Sequence, residues 1–349
     1  MASWVHQLLD WFSTEQRPMP WRQTPSSYGT WISEMMLQQT QVATVIPYFE
    51  RFMTLFPTVF DLAAADEQTV LKAWEGLGYY SRARNLHKAS KILVSDYNGK
   101  LPDNYNELLK LPGIGPYCAA AISSIAFSQP VPVVDGNVLR VFTRFWGIFD
   151  DIRQNSVKDM LFHKLSHYIK DSNPSDFNQA IMECGALICT PKQVKCAICP
   201  ISTDCFAFKH DKVHELPFKS KKGPTPHYTI AVGVVFKNNK ILIGQRKSDQ
   251  MLGGLWEFPG GKQEKNEALK DTVKRELKEE CNIEVEVEDC IKIVKHAYSH
   301  FKITLHAYRC HYISGDLIAK SAKQLKWVKK AELDLYPFPK ANKAFLTLI

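Results

Sequence analysis

Four cysteines of the 349-residue chain, Cys189, Cys196, Cys199 and Cys205, fall within 17 residues as C-x6-C-x2-C-x5-C. Thiols this close together point to a shared ligand. Structural zinc sites usually pair two C-x2-C knuckles, and this run contains one. Compact runs of four cysteines also hold 4Fe–4S clusters, so spacing alone leaves both metals open. Cys184, inside FNQAIMECGALIC, reads as a packed core thiol. Two carboxylates also stand out. Glu34 is the one charged residue across 31–49, followed by Met35, Met36 and Leu37, with Gln38 and Gln41 expected one and two turns on. It is either a solvated group on an exposed helix face or a buried one. Burial would favour the neutral form that a general acid needs. Asp135, in VPVVDGNVLRVFTR, begins an Asp-Gly pair that suits a helix N-cap or a turn. A capping position can also aim the side chain into a cleft.

The stretch LPGIGPYCAAAI (111–122) offers a different chemistry. Gly113 and Gly115 permit a tight turn with exposed backbone N–H groups, and Pro116 suits the first position of the next helix. Amides beside a helix N-terminus bind phosphate without any lysine. A turn that merely reverses the chain would look the same.

Together these features carry a resemblance. The cysteine spacing and the PGIG turn upstream of it resemble the endonuclease III/MutY superfamily. SEMMLQQTQVATVIPYFERF resembles the signature of the MutY-type adenine DNA glycosylases over its full length. The resemblance implies a helix–hairpin–helix glycosylase domain with a 4Fe–4S cluster on Cys189, Cys196, Cys199 and Cys205. It makes Glu34 the catalytic acid protonating adenine at N7. It makes Asp135 the carboxylate that stabilises or captures the sugar cation, with Asn137 beside it. Some members have Lys where this chain has Leu139, so any role of that position does not carry over. Breaking an N-glycosidic bond needs a better leaving group and a stabilised oxocarbenium-like sugar. The base must first leave the duplex stack. Trp21, Tyr79 and Gln39 are candidates to line the pocket or wedge into the gap, and each suits core or helix surface equally. In related enzymes that also cut the strand, a lysine at the position of Tyr117 forms a Schiff base with the sugar. Tyr117 cannot, which implies a monofunctional glycosylase, with its hydroxyl expected on Asp135 or the sugar. The expected partner is duplex DNA with A·8-oxoguanine or A·G mispairs.

A second constellation lies in GGKQEKNEALKDTVKRELKEECNI (260–283), where Gly261, Glu267, Arg275, Glu276, Glu279 and Glu280 form G-x5-E-x7-R-E-L-x-E-E. Glu276, Glu279 and Glu280 would share one helix face, suited to Mg²⁺ with a pyrophosphate or simply to solvent. The segment resembles the Nudix box, with Asn282 where the box has Gly, a change a left-handed backbone tolerates. GGLWEFPGGK before it looks like the hydrolase that destroys 8-oxo-dGTP. In MutY-type proteins this domain typically lacks the carboxylates and recognises 8-oxoguanine. Here they are present, so Mg²⁺-dependent 8-oxo-dGTP hydrolysis stands as an alternative second activity. HAYSHF (296–301), with Tyr298, Ser299 and His300, resembles the family's recognition loop. 8-Oxoguanine bears N7–H where guanine has a bare acceptor, and a serine hydroxyl can accept from it.

The elements expected to hold these groups change character along the chain. Residues 1–215 read as helices, for example 31–49, 66–80 and 117–127, punctuated at Pro57, Gly99, Pro112 and Pro130. Residues 216–227 are rich in Pro and Lys and read as a linker. In 228–349, YTIAVGVVF, a KNNK turn and KILIGQR read as strands, followed by a helix at 267–281 and the β segments IKIVKHAY and KITLHAYRC. The expected fold is a mainly α domain tethered to a smaller α+β, Nudix-like domain. The net charge of +8 is uneven, since residues 1–217 hold 20 Lys/Arg against 21 Asp/Glu. Charge therefore does not mark the N-terminal part as a DNA binder. Hydrophobic content of 45% and charged content of 23% fit a soluble protein. MASWVHQLLDWF lacks the pattern of a secretory signal, and no apolar run suits a bilayer span. A cytoplasmic monomer with thiols rather than disulfides is expected. An endonuclease III-type lyase is opposed by Tyr117 and the C-terminal domain. A nucleotide pyrophosphohydrolase docked on DNA, or a non-enzymatic binding module, would leave Glu34 and Asp135 without a role.

Overall fold

The computed structural model describes residues 2–220 and 223–349. The chain forms two compact units, Met1–Ala64 with Asn85–Lys222 and Ala65–Arg84 with Gly223–Ile349. Among the described residues no helix is long and apolar enough to cross a membrane, and no disulfide joins the cysteines.

The first unit is helical. Four of its helices carry the site: Ser27–Leu37, Pro116–Phe127, Gly136–Trp146 and Pro174–Leu187. Their ends follow local chemistry. Asp135 caps Gly136–Trp146, which stops at Gly147 in the left-handed region, φ 66°. Asn173 caps Pro174–Leu187, with Pro174 in the first turn, where its missing N–H costs nothing. Trp4, Leu8, Phe142, Phe177 and Ile181 form the core behind these helices. The stretch expected as one helix over 31–49 is two, Ser27–Leu37 and Val42–Leu55. The QQTQ run between them has no apolar face whose burial would enforce helix, and Gln39 takes a left-handed φ of 57°. Gln38 and Gln41 therefore do not extend the face of Glu34. The start of the expected linker is packed rather than loose. Leu216 is buried and its carbonyl accepts from Arg144 Nε at 2.8 Å, while Ser220 N–H donates to Asp151 at 3.1 Å. Lys221 and Lys222 of that linker lie outside the described residues.

The second unit is built on a mixed sheet of β1 (His227–Lys237), β2 (Lys240–Gln245), β3 (Trp256–Glu257), β4 (Gly260–Lys262), β5 (Glu284–Ala297), β6 (Lys302–Ser314) and β7 (Gln324–Lys329). The order is β3-β2-β1-β6-β5, with β4 on β1 and β7 on β2. β1 and β6 run parallel, and the other pairs antiparallel. Asn238 and Asn239, φ 48° and 60°, make the turn between β1 and β2 with the positive φ values a two-residue hairpin needs. The helix Leu269–Cys281 buries Val273 and Leu277 and ends at Asn282, φ 58°, as the Asn-for-Gly reading allows. Phe258, Phe338 and Phe345 fill a second cluster of this unit. The 66–80 stretch is helical only over Glu67–Ala73, because Gly76, Gly78 and Tyr79 take φ of 99°, 79° and 48°. It belongs with the sheet: Trp256 Nε1 donates to Gln68 Oε1 at 2.9 Å, and Phe338 N–H donates to Glu75 at 2.9 Å.

Candidate active site

Glu34 sits in the third turn of Ser27–Leu37, a helix opened by Ser26, whose hydroxyl accepts from Gly29 N–H at 2.9 Å. It is only 4% exposed, so the solvated-face reading does not hold. Tyr117 Oη donates to Glu34 Oε2 at 2.7 Å. Of the two partners expected for Tyr117, Asp135 and the sugar, the structure replaces Asp135 with Glu34. The Glu34 carboxyl is raised to about 7, chiefly by burial, with the Tyr117 bond pulling it down, the charge of Asp135 raising it and that of Arg22 lowering it. A carboxyl so placed is substantially protonated near neutrality.

Asp135 is held differently. As the N-cap it accepts from the backbone N–H groups of Asn137 at 2.9 Å and Val138 at 2.7 Å. The Asn137 amide adds a third bond, from Nδ2 at 2.8 Å. Burial pushes its carboxyl up, and these N–H donors pull it back toward the ionised form. Asn137 in turn accepts from Arg140 at 2.8 Å, and Arg140 also donates to the carbonyls of Gly185 and Cys189, both at 2.6 Å. One turn on, Arg144 donates to the Cys189 thiol at 3.2 Å. Gly185 is needed here, since a Cβ on it would meet Asn137 Cβ at 2.7 Å.

Glu34, Tyr117, Asp135 and Asn137 converge on one cleft of about 740 Å³, with Trp21 and Arg22 on its wall. Reading the sequence missed a second carboxylate system beside it. Glu183, 2% exposed, takes Arg17 Nε at 2.7 Å and Arg22 at 3.3 Å. A lone glutamate in the apolar run FNQAIMECGALIC was the available signal. Of the other candidates, Trp21 is nearly buried and packs edge-on against Phe49 at 5.2 Å, and Gln39 lies at the helix break. Tyr79 belongs to the second unit, with its Oη 2.5 Å from Ser299 Oγ. Ser299 and His300 are exposed at the β5–β6 turn, which closes through Tyr298 N–H to Phe301 O at 2.8 Å. Gly113 takes φ 80° against Asn85, and Gly115 caps Pro116–Phe127 with open space around it.

The four cysteines of the run, Cys189, Cys196, Cys199 and Cys205, line one small pocket closed by Ile188 and Phe208, while Cys184 is buried in the core. Among the described residues no group of three or more His, Cys, Asp or Glu side chains is arranged to hold a single metal ion. On the helix Leu269–Cys281, Arg275 forks to Glu267 at 2.8 Å, Glu276 at 2.9 Å and Glu279 at 3.1 Å. The Mg²⁺ expectation for Glu276, Glu279 and Glu280 gains no support, nor does the 8-oxo-dGTP hydrolysis that depends on it.

Residues 32–168 match the HhH-GPD superfamily of base excision DNA repair proteins, and residues 231–348 match the NUDIX domain. The chain is 34% identical over 300 residues to the adenine DNA glycosylase of Buchnera aphidicola subsp. Schizaphis graminum, spanning 86% of this chain and 84% of that one. It is 34% identical over 356 residues to the adenine DNA glycosylase of Mus musculus, spanning 86% of this chain and 69% of that one. The solved structure of a thermostable thymine-DNA glycosylase, 27% identical, superposes with a TM-score of 0.53 over 59% of this chain and 94% of its own. The chain belongs to the adenine DNA glycosylases, base-excision repair hydrolases that act on the N-glycosidic bond.

Proposed function

We propose that the chain removes adenine paired with 8-oxoguanine or guanine in duplex DNA, as a monofunctional glycosylase acting as a cytoplasmic monomer. The observation that carries the reading is the pair of unlike carboxylates in one cleft: Glu34 buried and held near neutral, Asp135 fixed by three N–H donors. Adenine flipped from the stack enters between them. Glu34 gives its proton to N7, the C1′–N9 bond breaks, and the electron pair leaves with the neutral base. Asp135 stabilises the cationic sugar until water adds at C1′. Asn137 holds Asp135, and Tyr117 holds Glu34. The amides around Gly113 and Gly115 suit a phosphate. Trp21, on the cleft wall, would lie beside the extruded base, and Gln39, exposed at the helix break, is the candidate wedge. Ser299, with Tyr298, His300 and Tyr79 around it, is the proposed reader of the oxidised base. Cys189, Cys196, Cys199 and Cys205 would hold a 4Fe–4S cluster, whose irons are separate corners, so its ligands need not converge on one ion. The cluster would supply a structural anchor for its loop.

The direct experiment is release of free adenine from duplexes carrying adenine opposite 8-oxoguanine, against the same duplexes with thymine opposite. Release from the first set alone is expected. Four further outcomes follow from this reading. The single-turnover rate should fall as pH rises through about 7, because Glu34 must be protonated. In Tyr117→Phe the carboxylate loses a donor, so this limb should move to higher pH; a limb that stays or moves lower contradicts the assignment. Borohydride should trap no enzyme–DNA adduct, since Tyr117 offers no amine, and a trapped adduct would exclude the monofunctional reading. Protein purified without oxygen should contain about four irons per chain; zinc in their place would refute the cluster.

A further inference from the structure

The segment Ala65–Arg84 is part of the same compact unit as the Nudix-like sheet, although it falls in sequence inside the glycosylase region. Side chains fasten it there. Gln68 accepts from Trp256 Nε1 at 2.9 Å and donates to Gly254 O at 3.1 Å. Arg84 donates to Gly253 O. Glu75 is the hub, taking Phe338 N–H at 2.9 Å, Lys343 Nζ at 2.7 Å and Lys72 Nζ at 2.9 Å. Its side chain is 6% exposed, so the carboxylate itself is largely out of water although the Lys343 and Lys72 amines reach solvent.

Just beyond Glu75 the backbone turns through Gly76, Gly78 and Tyr79, all at positive φ. Trp74 Nε1 and Arg82 both donate to Gly78 O, at 3.1 Å and 3.0 Å, and the Arg82 guanidinium lies 5.4 Å from the Tyr79 ring centroid. The product of this bracing is the 2.5 Å contact of Tyr79 Oη with Ser299 Oγ. A serine hydroxyl can donate to N7 of guanine or accept from N7–H of 8-oxoguanine, so by itself it separates the two bases poorly. A fixed phenol partner engages one of its hydrogen-bonding directions and restricts what remains. Discrimination then depends on how firmly Tyr79 is held.

We propose that Glu75 is a positioning residue for discrimination of the base opposite adenine, its clamp on Phe338 and Lys343 setting the Tyr79–Ser299 pair without touching DNA. The inference rests on the reading of Ser299 as the reader of oxidised guanine. The test uses the full chain and single-turnover rates for adenine opposite 8-oxoguanine and opposite guanine. Glu75→Ala should lower the 8-oxoguanine preference about fivefold or more, the size of an ordinary coupling energy, with the A·G rate within about twofold of wild type. Glu75→Gln should recover part of the preference, because its amide oxygen still accepts from Phe338 N–H. In a Tyr79→Phe background, Glu75→Ala should change the preference little further. An unchanged preference in Glu75→Ala, an equal fall on both substrates, or the full effect persisting without the phenol would each overturn the proposal. If Glu75→Ala does not fold, Gln68→Ala is the second variant; it should lower the preference in the same direction, and an unchanged ratio overturns the clamp. A wild type with no preference for 8-oxoguanine would instead overturn the underlying reading, and the clamp with it.

Discussion

A carboxyl group taken out of water must find partners or keep its proton. Glu34 does both, and the site is arranged around that constraint. The Ser27–Leu37 helix carries it inward, and Tyr117 gives it one donor, which leaves burial dominant and the carboxyl at about 7. Asp135 shares the cleft yet meets three N–H donors through its capping position. Burial thus pushes both carboxyls up, but Asp135 is given three N–H donors where Glu34 receives the one from Tyr117.

The helix Gly136–Trp146 ties this chemistry to the rest of the unit. Asp135 caps its start, Arg140 spans from Asn137 to the carbonyls of Gly185 and Cys189, and Arg144 reaches the Cys189 thiol. The cysteine loop and the Asp135 cap are therefore tied to one helix. The close approach of Gly185 to Asn137 makes that element's seating sensitive to a single added methyl group. Across the cleft, Arg17 and Arg22 hold Glu183, so the buried charges there are paired.

What was legible in the sequence was what short range determines. The Asp135 cap, the tight turn at Gly113 and the strands β1 and β2 are local patterns, and they stand in the structure as read. One charge in an apolar stretch marked Glu34 but left it either solvated or buried, and the structure has it buried. The missed features depend on pairings distant in sequence. Arg17 finds Glu183 across 166 residues, and Glu75 finds Phe338 across 263, neither of which periodicity can show. The break after Leu37 was missed because helix propensity in QQTQ is adequate locally, and only packing decides that the chain turns there. The bond of Tyr117 to Glu34 was not read because it spans 83 residues and only geometry brings the two together.

The central claim is that buried Glu34 delivers the proton that makes adenine leave. The most direct measurement is the single-turnover rate of Glu34→Gln, with excess enzyme, on a duplex carrying adenine opposite 8-oxoguanine, alongside duplex affinity. The substitution keeps the shape and removes the acid. The account predicts retained binding with a loss of roughly a hundredfold or more in rate. Near-wild-type turnover by Glu34→Gln would contradict it.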